Sequence, residues 1–158
     1  MEELHAYRAD LITALEDVIN ELSKLAAILP AGMWHQPIRP GAHDPHYILF
    51  HLRDLEAQWF ALELPRILSE ETPTLPVFDD EAWMDSHYHA EEPVSAILAE
   101  LIKLRHRELG WLRNLPSESW SRLARHPWWG EHTLQWWVEL QLEYSSQYLK
   151  EISTVLEL

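Results

Sequence analysis

The sequence predicts an all-α fold, a four-helix bundle with long connections and a short extra helix, in one domain over residues 1–158. Three observations support this prediction. Four long segments carry apolar residues at helical spacing, proline-rich stretches separate them, and only four glycines occur in the chain. A composition that is 47% hydrophobic, with nine tryptophans, is typical of an ordered domain with a buried core.

The first helix is predicted over about residues 3–28. Its apolar residues recur at alternating four- and three-residue steps, as expected for the buried seam of an antiparallel bundle. These residues are Leu11, Leu15, Val18, Leu22, Leu25 and Leu29. Pro30 ends the helix, and the prolines and glycine that follow make residues 30–44 a long connection.

The second helix is predicted from Pro45, a favourable first-turn residue, to a break near Pro65. Two polar residues, His51 and Glu56, flank its apolar stripe. The stripe consists of Ile48, Leu52, Leu55, Trp59 and Leu62. A loop follows, in which Asp79 or Asp80 is expected to cap a short helix at about residues 81–86.

The third long helix is predicted from near Pro93 to about Asn114. Its inward face includes two charged residues, Arg105 and Glu108. They are three residues apart and can pair with each other, which would make charge tolerable inside a bundle. Residues 115–130, rich in proline and tryptophan, are predicted to be a connection.

The last helix, predicted over residues 131–157, has polar residues in the middle of its buried face. Gln141, Tyr144, Ser145 and Tyr148 stand where a plain bundle carries leucine or isoleucine. Polar groups in a helical core need partners, so a binding site is expected here. Aromatic residues on such a face are also compatible with simple packing, each hydroxyl reaching a nearby partner.

The charge of the chain limits its partners. The formal net charge is −14, so the protein repels phosphate backbones and anionic membranes, and we expect neither nucleic-acid nor membrane binding. The sequence contains no cysteine, which leaves histidine and oxygen ligands for any metal. The N-terminus does not resemble a signal peptide, so the expected location is cytoplasmic.

Several segments together resemble the DinB-like (YfiT-like) four-helix-bundle family. PHYILFHLRDLE at residues 45–56 is similar to its second-helix motif, and His51 matches the motif's histidine. The phrase FDDE at 78–81, the helix around Arg105, and RHPWWGEHTL at 125–134 resemble the segments that follow. The tryptophan and serine that usually open the second-helix motif are absent.

The resemblance implies a divalent metal held by the second-helix histidine and two histidines four residues apart on the last helix. When Gly130, Leu134 and Ile152 are placed on the family pattern, those two histidines fall on Tyr144 and Tyr148. A neutral phenol is a poor ligand for such ions but a good hydrogen-bonding group. We therefore expect no metal cofactor, and a hydrogen-bonded cluster in its place.

The favoured function is that of a small-molecule-binding bundle with a degenerate metal site, lined by His51, Arg105, Tyr144 and Tyr148. One alternative is a metal-dependent thiol transferase or hydrolase of the DinB-like type, with nickel or zinc bound by His51. The other is a non-catalytic interaction module. Because none of the common catalytic motifs occurs, the sequence leaves open whether the protein is an enzyme.

Two further residue groups leave alternatives open. The loop histidines, His43 with His46 and His87 with His89, support at most an adventitious surface metal site. The tryptophans either close one end of the bundle, line a ligand entrance or form a dimer patch, and the family resemblance favours a homodimer. These tryptophans are Trp120, Trp128, Trp129, Trp136 and Trp137.

Overall fold

The structure, a computed structural model, describes residues 2–157. Four long helical segments form a bundle, with a short helix and a two-stranded hairpin in the connections. The helices are α1 (Glu2–Ile28), α2 (Pro45–Leu55), α3 (Ala61–Ser69), α4 (Asp80–His87), α5 (Val94–Arg113) and α6 (Leu134–Ser153). The strands are β1 (Leu123–His126) and β2 (Gly130–Thr133). The all-α, four-helix prediction is confirmed.

The helix starts follow from their capping residues. Asp44 precedes α2, and its carboxylate accepts the Tyr47 N–H at 2.7 Å, with Pro45 in the first helical position. Asp79 caps the short helix α4 by accepting the Ala82 N–H at 3.0 Å, which confirms the predicted cap and the extra helix. None of the helices within residues 2–157 is long and apolar enough to cross a membrane.

The second long segment does not break at Pro65, contrary to the sequence prediction. A π-helical turn over Glu56–Phe60 joins α2 to α3, and α3 passes through Pro65 to Ser69. Proline removes one backbone hydrogen bond from a helix. Burial of Leu64 and Ile67 on either side of Pro65 offsets that loss and keeps the segment packed on the core.

Helix α3 also contains a buried acidic residue. Glu63 is only 5% exposed. Its nearest cation, the Arg66 guanidinium, lies 3.9 Å away, and one carboxylate oxygen has no hydrogen-bond partner within the described residues. Burial raises the pKa of Glu63 to about 7 from an ordinary 4.5. The folded state therefore holds this proton more tightly than the unfolded chain.

Because the folded-state pKa of Glu63 is raised, its contribution to stability is fully present below pH 4.5 and is lost as pH rises through 7. We expect Glu63→Gln to be more stable than the wild type by about 1–2 kcal/mol at pH 8, with a smaller difference at pH 5. Urea unfolding at both pH values measures this, with the exposed Glu71→Gln as the control. Equal differences at the two pH values would contradict the prediction.

α2 and α5 run parallel, which the prediction of an antiparallel bundle did not anticipate. Arg53 pairs with Glu100, and further along both helices Glu56 pairs with Arg105. The connection from residue 70 to residue 93 therefore returns along the bundle before α5 begins. This return carries α4 back beside the first half of α2.

Contacts between the other helices give their relative directions. The end of α5, at Leu112, lies beside the start of α1, and the start of α5, at Val94, lies beside the end of α1 at Ala27, so these helices are antiparallel. Arg8 of α1 contacts Gln135 at the start of α6, so α1 and α6 run in the same direction. His51 contacts Tyr148 and Glu56 contacts Gln141, so α2 is antiparallel to α6.

The connection between α5 and α6 holds a hairpin that the sequence analysis did not predict. β1 and β2 pair antiparallel, and Gly130 closes their turn with a φ of 78°, a conformation that favours glycine. Residues 131–133 therefore belong to β2, and α6 begins at Leu134, capped by the Thr133 hydroxyl. A 3₁₀ turn, Thr154–Glu157, ends the segment, so the predicted helix bounds of 131–157 were too wide.

The core consists of two apolar halves with a polar layer between them. One half lies around Leu22, Leu52 and Leu101, and the other around Leu64 and Leu109. The residues of the polar layer, all buried, are Glu56, Arg105, Glu108, Gln141 and Ser145. The layer lies beneath the residues singled out as a candidate site.

Candidate functional site

α2 presents His51 to the first turn of α4. The His51 Nε2 atom lies 2.8 Å from a carboxylate oxygen of Asp80, the first residue of α4. This bond places a proton on Nε2 when the imidazole is neutral and fixes the orientation of the ring. Asp80 is half exposed, so the pair lies at the surface of the bundle and is reachable by a small molecule.

α6 supplies the two tyrosines of the site, one helical turn apart. The Tyr148 hydroxyl lies 3.5 Å from the other ring nitrogen of His51, at the long limit of a hydrogen bond. The rings of His51 and Tyr148 are 5.2 Å apart, and those of Tyr144 and Tyr148 are 6.5 Å apart. The structure thus brings together His51, Asp80, Tyr144 and Tyr148, called the His51 cluster below.

Both tyrosines of the His51 cluster remain neutral phenols. Burial raises the pKa of Tyr148 well above its ordinary 10, and the negative charge of Asp80 raises it further. Burial and Asp80 also raise the pKa of Tyr144. Two neutral hydroxyls beside an imidazole can donate and accept hydrogen bonds, which suits recognition of a polar group on a ligand.

Two cavities flank the His51 cluster. The first, about 120 Å³, lies beside Asp80 and Tyr144, and its remaining walls are mostly aromatic. Those wall residues include Trp59, Phe78, His126, Trp128 and Trp129. The second cavity, about 250 Å³, is lined by His51 and Tyr148 together with Tyr47. The His51 cluster therefore lies between the aromatic cavity and the second, larger cavity.

Arg105 does not line either cavity. Its side chain is fully buried, and it donates two hydrogen bonds of 2.9 Å to the Glu56 carboxylate. It also donates to the Leu15 carbonyl at 2.9 Å and to the Ser145 hydroxyl at 2.7 Å. The prediction that Arg105 pairs with Glu108 is wrong, because Glu56 of the parallel helix α2 reaches the guanidinium from the facing side.

The charges in the polar layer balance. Burial opposes ionisation of Glu56, but the Arg105 guanidinium outweighs it and lowers the pKa of Glu56. Burial and the negative charge of Glu56 raise the pKa of Glu108 well above 4.5, so Glu108 keeps its proton. Gln141 donates hydrogen bonds to both carboxyl groups. One cation and one anion remain, which makes this layer a structural support for the site above it.

The donor set around His51 does not fit a divalent metal centre. Within residues 2–157, no group of three histidine, aspartate or glutamate side chains is placed to hold a metal ion. His51 and Asp80 offer one imidazole and one carboxylate, already bonded to each other. The side chains that face His51 from α6 are Tyr144 and Tyr148, and burial keeps both phenols protonated.

The structure also places residues that the sequence analysis did not assign to the site. Asp80 was considered only as a helix cap, because 29 residues separate it from His51 and no local pattern links them. His46, described as a loop histidine, is instead buried between the Tyr88 hydroxyl at 2.8 Å and the Glu92 carbonyl at 2.7 Å. Its role is therefore structural, and it is not available to a surface metal.

The tryptophan-rich end of the bundle is mostly packed inward. Trp120 and Trp137 are buried, and Trp129 and Trp136 are half buried. Trp128 is 71% exposed at the turn of the hairpin. The tryptophans thus close this end, and two of them, Trp128 and Trp129, also line the aromatic cavity.

Comparison with known proteins supports the same architecture. The sequence profile of the DinB superfamily matches residues 14–150. A Bacillus subtilis protein named "Putative metal-dependent hydrolase YfiT" is 27% identical over 116 residues, which cover 73% of this chain and 65% of that protein. This chain therefore aligns with less than two thirds of the length of that relative.

A Bacillus cereus (strain B4264) protein, also named as a "Putative metal-dependent hydrolase", is 27% identical over 123 residues, covering 78% of this chain and 70% of that protein. The solved structure of Bacillus subtilis YfiT superposes with a TM-score of 0.82 and 24% identity, over 94% of this chain and 85% of that chain. It is described as a probable metal-dependent hydrolase with an unusual four-helix bundle topology. The likeness in fold is close.

Proposed function

Because the chain belongs to the DinB superfamily, we propose that it is a small-molecule-binding bundle in which a hydrogen-bonding cluster replaces the metal centre. The His51 cluster would hold a polar group of the ligand, and the flanking cavities would hold the rest. Arg105, expected in the site, acts in this proposal only as a buried support through Glu56 and Ser145.

One observation carries this proposal. The His51 imidazole has a carboxylate on one side, at 2.8 Å, and a protonated phenol on the other, at 3.5 Å. Tyr144 and Tyr148 have the four-residue spacing at which two metal-binding histidines are expected in this family. The long contact leaves the His51 nitrogen facing Tyr148 weakly bonded, so a ligand hydroxyl or amide can insert there.

A metal-dependent hydrolase or thiol transferase is the second candidate. The names of the two Bacillus relatives favour it. In this chain, His51 and Asp80 would be the ligands at hand, and a third strong donor is missing from the described residues near them. An interaction module is favoured less, because cavities of about 120 and 250 Å³ flank the polar residues.

Screening a library of polar fragments by ligand-observed NMR tests the proposal. We expect saturable hits that Tyr148→Phe weakens by roughly tenfold, since one hydrogen bond to a buried polar site contributes about 1–1.5 kcal/mol. Tyr7→Phe is the matched control, because Tyr7 is exposed on α1 and its hydroxyl donates a hydrogen bond to Glu139, away from the His51 cluster. Hits that bind both variants and the wild type equally would place binding elsewhere and contradict the proposal.

A further inference from the structure

Three arginines of the described chain are buried, and one of them differs from the other two. Arg53 is neutralised by Asp54, Glu92 and Glu100, and Arg105 is neutralised by Glu56. Arg8 is 8% exposed, yet no carboxylate within residues 2–157 forms an ion pair with it. The groups that accept hydrogen bonds from Arg8 are all neutral.

The contacts of Arg8 leave one edge of its guanidinium open. Nε donates to the Gln135 side-chain oxygen at 2.9 Å, and Nη1 donates to the Ser117 hydroxyl and carbonyl at 3.0 and 3.2 Å. Nη2 has no acceptor among the described residues. A buried charge without a counter-ion is costly, and such charges in proteins are paired or bind ligands.

Arg8 lines a cavity of about 430 Å³. This cavity is formed by the first half of α1, the end of α5 and the 3₁₀ turn Ser117–Ser121. Its walls combine polar and apolar residues: His5 and Arg113 accompany Arg8, and Ile12, Leu112 and Trp120 are apolar. The Trp120 ring lies 5.4 Å from the Arg8 guanidinium carbon and holds it in place.

We propose that this cavity is a second binding site, for a small organic carboxylate with an apolar body. Arg8 Nη2 would donate to the carboxylate and supply the missing charge partner, and the apolar part would contact Ile12, Leu112 and Trp120. A monoanion fits better than a phosphate ester, because Arg113 is already paired with Glu16 and the net charge of −14 repels multiply charged anions.

The Arg8 site is separate from the proposed function of the His51 cluster. Its lining shares no residue with the two cavities beside His51. Arg8 and Trp120 belong to the end of the bundle where α1 and α6 begin, whereas His51 and Tyr148 lie towards the opposite end. A negative result for binding at Arg8 would therefore not contradict the proposed binding at the His51 cluster, and the reverse also holds.

Isothermal titration with phenylacetate and with its neutral amide, phenylacetamide, tests the site. The two molecules share one apolar body and differ in the charge that Arg8 would recognise. We expect phenylacetate to bind saturably and phenylacetamide to bind at least tenfold more weakly. Arg8→Gln is expected to weaken phenylacetate binding at least tenfold, whereas Arg66→Gln, which removes an exposed guanidinium on α3, leaves it unchanged.

A second variant separates binding from the structural contacts of Arg8. Ala9→Phe keeps Arg8 intact and fills the cavity from its α1 wall, so it is expected to abolish phenylacetate binding while the fold is retained. Circular dichroism checks the fold of each variant. The proposal is overturned if the wild type shows no saturable phenylacetate binding, if the amide binds as tightly, if folded Arg8→Gln or Ala9→Phe binds normally, or if inorganic phosphate binds more tightly.

Discussion

Arg105→Met is expected to lower the free energy of unfolding by about 3–5 kcal/mol. The substitution removes the only cation that contacts Glu56 among the described residues, and both side chains are fully buried. Glu56 would then carry an uncompensated charge in the core, or bind a proton to avoid it. The Leu15 carbonyl and the Ser145 hydroxyl would also lose a donor.

Urea unfolding measures this loss, and Arg113→Met on the same helix is the matched control. Arg113 and Glu16 form a surface pair, each more than a third exposed, so the control is expected to change stability by about 0–1 kcal/mol. The double variant Arg105→Met with Glu56→Met removes both charges and is expected to recover much of the loss. A loss below 1 kcal/mol in Arg105→Met would contradict the assignment of the polar layer as a structural ion pair.

Periodicity predicted the helices well because their buried faces are continuous. The starts at Pro45 and near Pro93 were recognised from the prolines, whose effect on the backbone is local. Pro65 misled the prediction because a local rule for helix breaking was overridden by burial of Leu64 and Ile67. The hairpin was missed because two four-residue strands carry too little alternating pattern to be recognised.

The candidate site was predicted only in part because side-chain partners depend on helix direction. The buried positions of Gln141 and Ser145 follow from spacing on α6 alone. The pairs Arg105 with Glu56 and His51 with Asp80 require α2 and α5 to be parallel and α4 to fold back, which no local pattern specifies. The homodimer and the cytoplasmic location stay predictions.

The second large effect is expected when both tyrosines of the His51 cluster are replaced by histidine. Tyr144→His with Tyr148→His would place two imidazoles four residues apart on α6, facing His51 of α2. Three imidazole ligands meet the requirement of a zinc or nickel site, whereas one imidazole and two protonated phenols do not. We expect the double variant to bind zinc or nickel on the order of 100-fold more tightly than the wild type.

Two controls belong with that variant. Adding His51→Ala to it is expected to remove the gain, because only two of the three imidazoles would remain. Tyr7→His with Ile28→His adds the same number of histidines at exposed positions near opposite ends of α1, away from the cluster, and is expected to leave metal affinity near that of the wild type. An equal gain in this control would show adventitious binding and contradict the prediction.

Elemental analysis of untagged, never-chelated wild-type protein, before and after equilibration with zinc or nickel, tests the central claim most directly. If a hydrogen-bonding cluster stands in place of a metal centre, the wild type will hold far less than one metal per chain under both conditions, and His51→Ala will not change that content. About one tightly held metal per wild-type chain, lost in His51→Ala, would contradict this account and assign a metal centre to His51.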